Sequence, residues 1–174
     1  MRPSLQYISS APNLIAEFHY EADHIIKIVL SFSHNAETNL KIPPESKGLY
    51  VKLISKSKNL KLESQINDWL NSYAAKALQK NPLPLKLGCL PPFTRQALEE
   101  MAKIPFGRQV SYKQLACLLQ NPKGSRAVGN ACRVNPFPLV IPCHRVIASN
   151  GGLGGFAFGS ELKQHLLDFE TTQT

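Results

Sequence analysis

Between Met101 and Ser160 the sequence contains no aspartate and no glutamate. That stretch carries Lys103, Arg108, Lys113, Lys123, Arg126, Arg133 and Arg145, and acids resume only outside it, at Glu99, Glu100 and Glu161. Over the whole chain of 174 residues, 20 Lys and Arg stand against 12 Asp and Glu, a formal net charge of +8. A one-sign segment that also contains apolar residues reads as one electropositive face of a folded domain. The partner expected for such a face is a polyanion, nucleic acid before membrane.

Other shortages narrow the class further. No apolar run approaches the roughly 18 residues that a membrane-spanning helix needs. The first 20 residues, interrupted by Glu17 and His19, lack the basic start and apolar stretch of a secretory signal, so a cytoplasmic location is expected. With 43% hydrophobic and 18% charged residues the composition is globular, which excludes a disordered tail. There are four cysteines, at 89, 117, 132 and 143, and none forms a C-x-x-C pair. That pattern supports neither a zinc knuckle nor a thioredoxin-type site, and no metal or other cofactor is expected. A disulfide framework is not expected in a cytosolic chain of this size. Cys89, Cys117 and Cys132 read as small buried hydrophobes. The glycines of Gly151-Gly152-Leu153-Gly154-Gly155 have no strand–loop–helix context, so they read as a mobile pocket loop and not as a phosphate cradle.

What is present falls into two parts. Residues 14–32 place two β-prone runs either side of Glu21-Ala22-Asp23, a hairpin, and Gly48 to Ile54 reads as a third strand. Over residues 62–79 the period changes: Ile66, Trp69, Leu70, Tyr73, Ala77 and Leu78 recur at helical spacing. His19, His24 and His34 are scattered and read as surface or strand-packing residues. Residues 81–92, NPLPLKLGCLPP, are rich in proline and read as an extended linker. The fold class expected is α/β: a small amino-terminal domain, residues 1–85, with a β-sheet and a helix, followed by a mainly helical domain, residues 86–174.

In the second part Thr94 is placed to cap a helix bearing Ala97, Leu98 and Met101, ended by Pro105 and Gly107. Ser111 and Gln114 have the spacing of a capping box ahead of Leu115, Leu118 and Leu119. After Asn121-Pro122 and a short turn, a further helix is expected from about Arg126 to Val134. Two short helices joined by a tight turn inside the cationic block make a helix-turn-helix candidate. The small residues Ala127, Gly129 and Ala131 on the second helix suit close approach to another surface, whether nucleic acid or a neighbouring helix. A last helix is expected from Ser160 to about Phe169, with Glu170 at its end.

The chemical segment is Leu139-Val140-Ile141-Pro142-Cys143-His144-Arg145-Val146-Ile147. A thiol between two β-prone runs, in a cationic block, is the setting in which a thiolate nucleophile is favoured. In an extended segment neighbouring side chains point to opposite sides, so His144 would reach Cys143 only through a bridging water or if the chain turned there.

Pro142-Cys143-His144-Arg145-Val146 resembles the PCHRV signature of the O6-alkylguanine-DNA alkyltransferases, the methylated-DNA–protein-cysteine methyltransferases. The resemblance extends from about Phe93 to Glu170, through FGRQVSYKQLA, RAVGNACRVNPFPLVIPCHRV and LLDFE. It implies that Cys143 accepts the alkyl group once and irreversibly. His144 would deprotonate it through a water, Glu170 would orient His144, and Asn135 would be the hinge joining the helix-turn-helix to the active-site strand. It implies an arginine finger at Arg126, a tyrosine at Tyr112 that promotes rotation of the target nucleotide, and DNA contacts from Ser125, Ala127, Gly129, Ala131 and Arg133. In that family the second helix enters the minor groove. The substrate pocket would hold Val146, Gly154, Phe156 and Phe158. Phe156 stands where many members have a tyrosine, so a hydroxyl for the leaving oxygen is missing, and Phe158 replaces a small residue and narrows the pocket. The partner implied is duplex DNA containing O6-alkylguanine, met by a monomer. Two other readings remain: an alkyltransferase-like protein that senses damage without efficient transfer, and a sequence-specific regulator.

Overall fold

Strand β1 (Leu14–Glu21) runs down the middle of a three-stranded sheet in the order β2-β1-β3. Strand β2 (His24–Phe32) returns antiparallel through the tight Ala22-Asp23 turn, where Ala22 takes φ 51°. Strand β3 (Leu49–Ile54) lies parallel on the other side, with Leu14 opposite Leu49 and His19 opposite Ile54. The computed structural model describes residues 14–32, 49–55, 58–77 and 83–171. The predicted strands and hairpin are therefore observed, while His34 lies outside the described residues.

Helix α1 (Leu60–Ala74) starts where Asn59 caps it, its side chain accepting from Leu62 N at 3.0 Å. The predicted apolar face is present: Leu62, Ile66, Trp69, Leu70 and Tyr73 are buried. The helix ends five residues before the periodicity does, because Lys76 turns the chain at φ 56°. Ala77 is then past the helix, and Leu78 lies outside the described residues. The chain divides into two compact units, Met1–Lys86 and Leu87–Thr174.

The second unit holds the remaining helices. Helix α2 (Pro92–Met101) begins at a proline, not at Thr94, which is buried inside its first turn and makes no cap. Proline lacks the N–H that a first turn leaves unpaired, so Pro91-Pro92 starts the helix without one. The capping box is as predicted: Ser111 accepts from Gln114 N at 3.1 Å, and the Gln114 side chain accepts from Ser111 N at 2.7 Å. It opens α3 (Tyr112–Leu118), which packs on α4 (Ser125–Arg133), the predicted second helix of the pair.

The run before the cysteine is not a strand. Leu139 takes φ 71°, and Ile141 N donates back to Phe137 O at 2.8 Å, so the chain coils through a turn. Pro136, Pro138 and Pro142 supply no N–H to a ladder, so the apolar side chains bury themselves by turning. Cys143–Arg145 form one 3-10 turn. Only Val146–Ile147, here β5, is extended, parallel to β4 (Val110–Ser111). This short ladder ties the cysteine turn to the start of α3. Helix α5 (Ser160–Thr171) runs two residues further than expected and takes in Glu170. Cys132 is buried as expected, but Cys89 and Cys117 are exposed, one in the linker and one on the outer side of α3. No helix of the described residues is long and apolar enough to cross a membrane.

Candidate active site and nucleic-acid interface

The 3-10 turn removes the geometric objection to a Cys143–His144 pair, since successive side chains no longer alternate across an extended strand. Cys143 is 3% exposed and His144 is fully buried. His144 Nε2 donates to Glu170 Oε1 at 2.8 Å. With that proton on Nε2, the neutral ring leaves Nδ1 as a lone-pair acceptor. Nδ1 is buried and has no hydrogen-bond partner. Burial holds the imidazole pKa down, against the pull of Glu170, so the ring is neutral and able to take a proton.

Glu170 is clamped from its other side by Arg145. Nε donates to Oε2 at 2.7 Å and Nη2 to Oε1 at 2.9 Å, a bidentate pair. The guanidinium also donates to Ile104 O at 2.6 Å and lies 5.5 Å from the centre of the Phe106 ring. Burial works against the charged carboxyl, but His144 and Arg145 outweigh it and hold its pKa at about 2. Glu170 is thus a permanent anion, neutralised by Arg145, that fixes the tautomer and orientation of His144.

Asn135 holds the thiol side. Its Nδ2 donates to Ile141 O at 2.9 Å and to Cys143 Sγ at 3.1 Å, and its Oδ1 accepts from Phe137 N at 3.0 Å. One buried amide therefore closes the proline-rich turn and points a donor at the sulfur. The expectation that a cationic block lowers the Cys143 pKa is corrected by burial, which pushes the thiol up. Asn135, Lys163 and the backbone N–H groups of Cys143 and His144 pull the other way. The sulfur is a shielded thiol surrounded by groups that favour the thiolate form.

Lys163 was not singled out in the sequence. It is fully buried on α5, donating to Val146 O at 2.6 Å and Leu153 O at 2.5 Å, with its ammonium 5.8 Å from the centre of the Tyr112 ring. A signal existed: a lysine among Leu162, Leu166 and Leu167 on an apolar helix face needs buried acceptors. Arg145, counted only as one more cation, gave a similar signal from inside the apolar run.

A cleft of about 720 Å³ opens between α4 and the loop before α5, lined by Tyr112, Ser125, Arg126, Gly129, Arg133, Gly155, Phe156 and Ala157. Six of these were expected at the DNA or substrate site, Gly155 falls in the glycine run read as a pocket loop, and Ala157 begins the turn that follows it. Burial pushes the Tyr112 hydroxyl up to about 12, helped by Cys132 and Cys143, so it remains a donor; it reaches Gly155 O at 3.2 Å. Gly154 takes φ +66°, and a Cβ there would lie 2.7 Å from the Tyr112 ring and hydroxyl. It shapes the loop without lining the cleft. Phe158 meets Phe156 edge-on at 5.6 Å but does not line the cleft either. Val146 is fully buried, its carbonyl taken by Lys163, so it is a core residue. Ala131 is 1% exposed and faces the core with Val128 and Cys132, because the helical period turns it inward; Arg126, Ala127, Asn130 and Arg133 form the outer face. Among the described residues no group of His, Cys, Asp or Glu side chains is arranged to hold a metal.

Residues 92–172 match the model of the 6-O-methylguanine DNA methyltransferase DNA binding domain. Through these residues, just under half of the chain, it is similar to that family. Methylated-DNA–protein-cysteine methyltransferase of Cricetulus griseus is 44% identical over 117 residues, 63% of this chain and 56% of that protein. The Homo sapiens protein of the same name is 43% identical over 112 residues, covering 61% of this chain and 54% of its own. The chain thus spans about half the length of the curated relatives it matches. The fold extends further. Mycobacterium tuberculosis OGT, solved in complex with DNA, superposes with a TM-score of 0.67 at 24% identity, over 91% of this chain and 92% of that one. The O6-methylguanine-DNA methyltransferase of Pyrococcus kodakaraensis gives a TM-score of 0.60 at 22% identity, over 91% and 99%. Both units therefore have the α/β fold of these proteins.

Proposed function

We propose that this chain repairs DNA by direct reversal, moving an alkyl group from O6 of guanine in a duplex to Cys143. The observation that carries the reading is the buried series Asn135–Cys143–His144–Glu170–Arg145, a thiol with a neutral base beside it. The thiol proton passes to His144, through a water that takes up the free Nδ1. The thiolate then attacks the methyl carbon in line: the S–C bond forms as the C–O6 bond breaks, and the oxygen keeps the electron pair. The guanine anion takes up the proton that His144 accepted and ends as neutral guanine, while Cys143 ends as S-methylcysteine and His144 returns to its neutral form. The S–C bond is not hydrolysed, so each molecule acts once.

The target carbon lies inside a duplex, so the base must leave the stack, at a cost of a few kcal/mol. The outer face of α4 meets the minor groove, Arg126 fills the vacated space, Tyr112 presses on the rotating nucleotide, and the cleft receives the base. The acid-free stretch around them holds phosphates without reading sequence. A single copy of the chain suffices, and the cytoplasm is its expected place.

The test is intact mass after incubation with a duplex carrying one O6-methylguanine. A gain of about one methylene, confined to the Cys143 peptide and absent from Cys143→Ala, is expected. Phe156 favours one second reading, damage sensing without efficient transfer, because its ring offers the leaving oxygen no hydroxyl. Tight lesion binding with no mass change would select that reading.

A further inference from the structure

The side chains exposed on the outer face of α4 are Arg126, Ala127, Asn130 and Arg133, so its polar groups are mostly hydrogen-bond donors. Arg126, Asn130 and Arg133 fall at i, i+4 and i+7, one stripe of the helix, and all three are exposed. Arg126 and Arg133 also line the cleft, which places Asn130 between two cleft residues. An asparagine normally offers an acceptor and two donors. Here the acceptor is engaged within the helix: Asn130 Oδ1 takes a hydrogen bond from Arg133 Nη2 at 2.8 Å. The bond fixes which end of the amide is which, and it turns the NH₂ outward. With no acid anywhere from 101 to 160, no carboxylate adds an acceptor to this face.

A donor-rich surface is not neutral toward base sequence. On the minor-groove floor A·T and T·A pairs show only the acceptors adenine N3 and thymine O2, whereas G·C adds the donor guanine N2–H₂. Facing donors leave one group unpaired, and a buried unpaired donor is costly. We propose that Asn130, held by Arg133, is a specificity-determining residue that makes repair depend on the base pairs flanking the lesion. A·T flanks are favoured, and the guanine 2-amino group is the feature rejected. This rests on the minor-groove alkyltransferase reading above.

The test uses O6-methylguanine duplexes identical except for two pairs on each side, which are A·T, G·C or inosine·C. Inosine removes only the 2-amino group. Single-turnover transfer rate and duplex affinity are measured for the wild type and Asn130→Ala, a change that raises helix propensity at an exposed position; a thermal melt of each checks the fold. In the wild type, replacing flanking guanine by inosine is expected to raise rate or affinity roughly fivefold, about 1 kcal/mol. In Asn130→Ala that ratio is expected to fall to near one. Easier flipping next to weak pairs is common to both proteins and cancels in the comparison. An inosine effect of equal size in both proteins, or absent from the wild type, overturns the assignment. If no duplex transfers its methyl group, the alkyl-transfer reading falls instead, and the affinity ratios decide Asn130 by the same criterion.

Discussion

The two units bury different things. Among the described residues, every buried polar or charged side chain belongs to the second unit: Thr94, Asn135, His144, Arg145, Lys163 and Glu170. The first unit buries an apolar set around β1 and α1 and keeps its ion pairs at the rim, as with Lys52 and Glu17 at 2.9 Å and side-chain exposures of 41% and 20%. Taking an ion pair out of water costs several kcal/mol per ion, and an apolar replacement of similar volume often folds as well or better. A cluster of three charged residues and an imidazole in an 88-residue unit therefore points to chemistry, and it marks the second unit as the one proposed to react.

Removing one carboxylate from each unit is the sharpest way to test that contrast. In Glu170→Gln the Arg145 guanidinium stays buried without its anion, and a loss of about 3–5 kcal/mol is expected from urea unfolding at pH 7. Glu17→Gln removes a rim partner and should cost about 0–1 kcal/mol. Equal losses would break the comparison.

Acid should expose the same difference. The Glu170 carboxyl sits at about 2 when folded, against an ordinary value of 4.5. Its stabilisation is complete above the unfolded value and is lost as pH falls from there toward 2. His144, kept neutral by burial, adds a loss of the same sign below its ordinary value of 6.5. Between pH 5 and pH 2 the wild-type Tm should therefore fall more steeply than that of Glu170→Gln, which no longer has a carboxyl to protonate. Parallel slopes would mean that acid sensitivity lies elsewhere in the chain.

Function and stability should part company at His144. His144→Gln keeps a group able to donate to Glu170 but removes the base, and single-turnover transfer should fall by roughly a hundredfold or more. A smaller stability loss than for Glu170→Gln is expected, since no charge is stranded. Gly154→Ala acts through the backbone. Left-handed φ and the 2.7 Å approach to Tyr112 force the loop outward, at about 1–3 kcal/mol of strain, with slower transfer and more rapid hydrogen exchange at 153–157. Transfer at the wild-type rate would show that the Tyr112–loop contact is not needed.

How much of this was legible in the sequence depends on the distance over which each feature is decided. The Ser111–Gln114 box, the face of α1 and the hairpin at Ala22-Asp23 depend on residues a few positions apart, and each was readable. Leu139-Val140-Ile141 had strand composition, but the surrounding prolines left it no partner. Ala131 was expected on the outer face for its size, although its helical phase placed it inside. The bidentate Arg145–Glu170 pair joins residues 25 positions apart, and Lys163 finds its carbonyls 17 and 10 positions away. Only the demand for a partner, not its identity, can be read from a charge in an apolar run. The resemblance gave roles to Glu170 and Asn135 but none to Arg145, although it lies within the PCHRV match, and none to Lys163; both support the cysteine and histidine from behind.

Local physics should be the same in both units, and the two side-chain caps offer that control. Ser111→Ala removes the hydroxyl that accepts from Gln114 N, while Ser111 N keeps its bond from the Gln114 side chain. Asn59→Ala removes the acceptor for Leu62 N and also a 2.7 Å bond from Nδ2 to Ala22 O that ties α1 to the hairpin turn. Each should cost about 1 kcal/mol, with Asn59 the larger. Neither should change the rate of transfer by more than a few fold, because neither side chain lines the cleft or touches the Cys143–Glu170 series. If Ser111→Ala slowed transfer while costing no more stability than Asn59→Ala, the start of α3 would count as part of the reactive machinery. Tyr112, the next residue along the chain, would be the route of that effect.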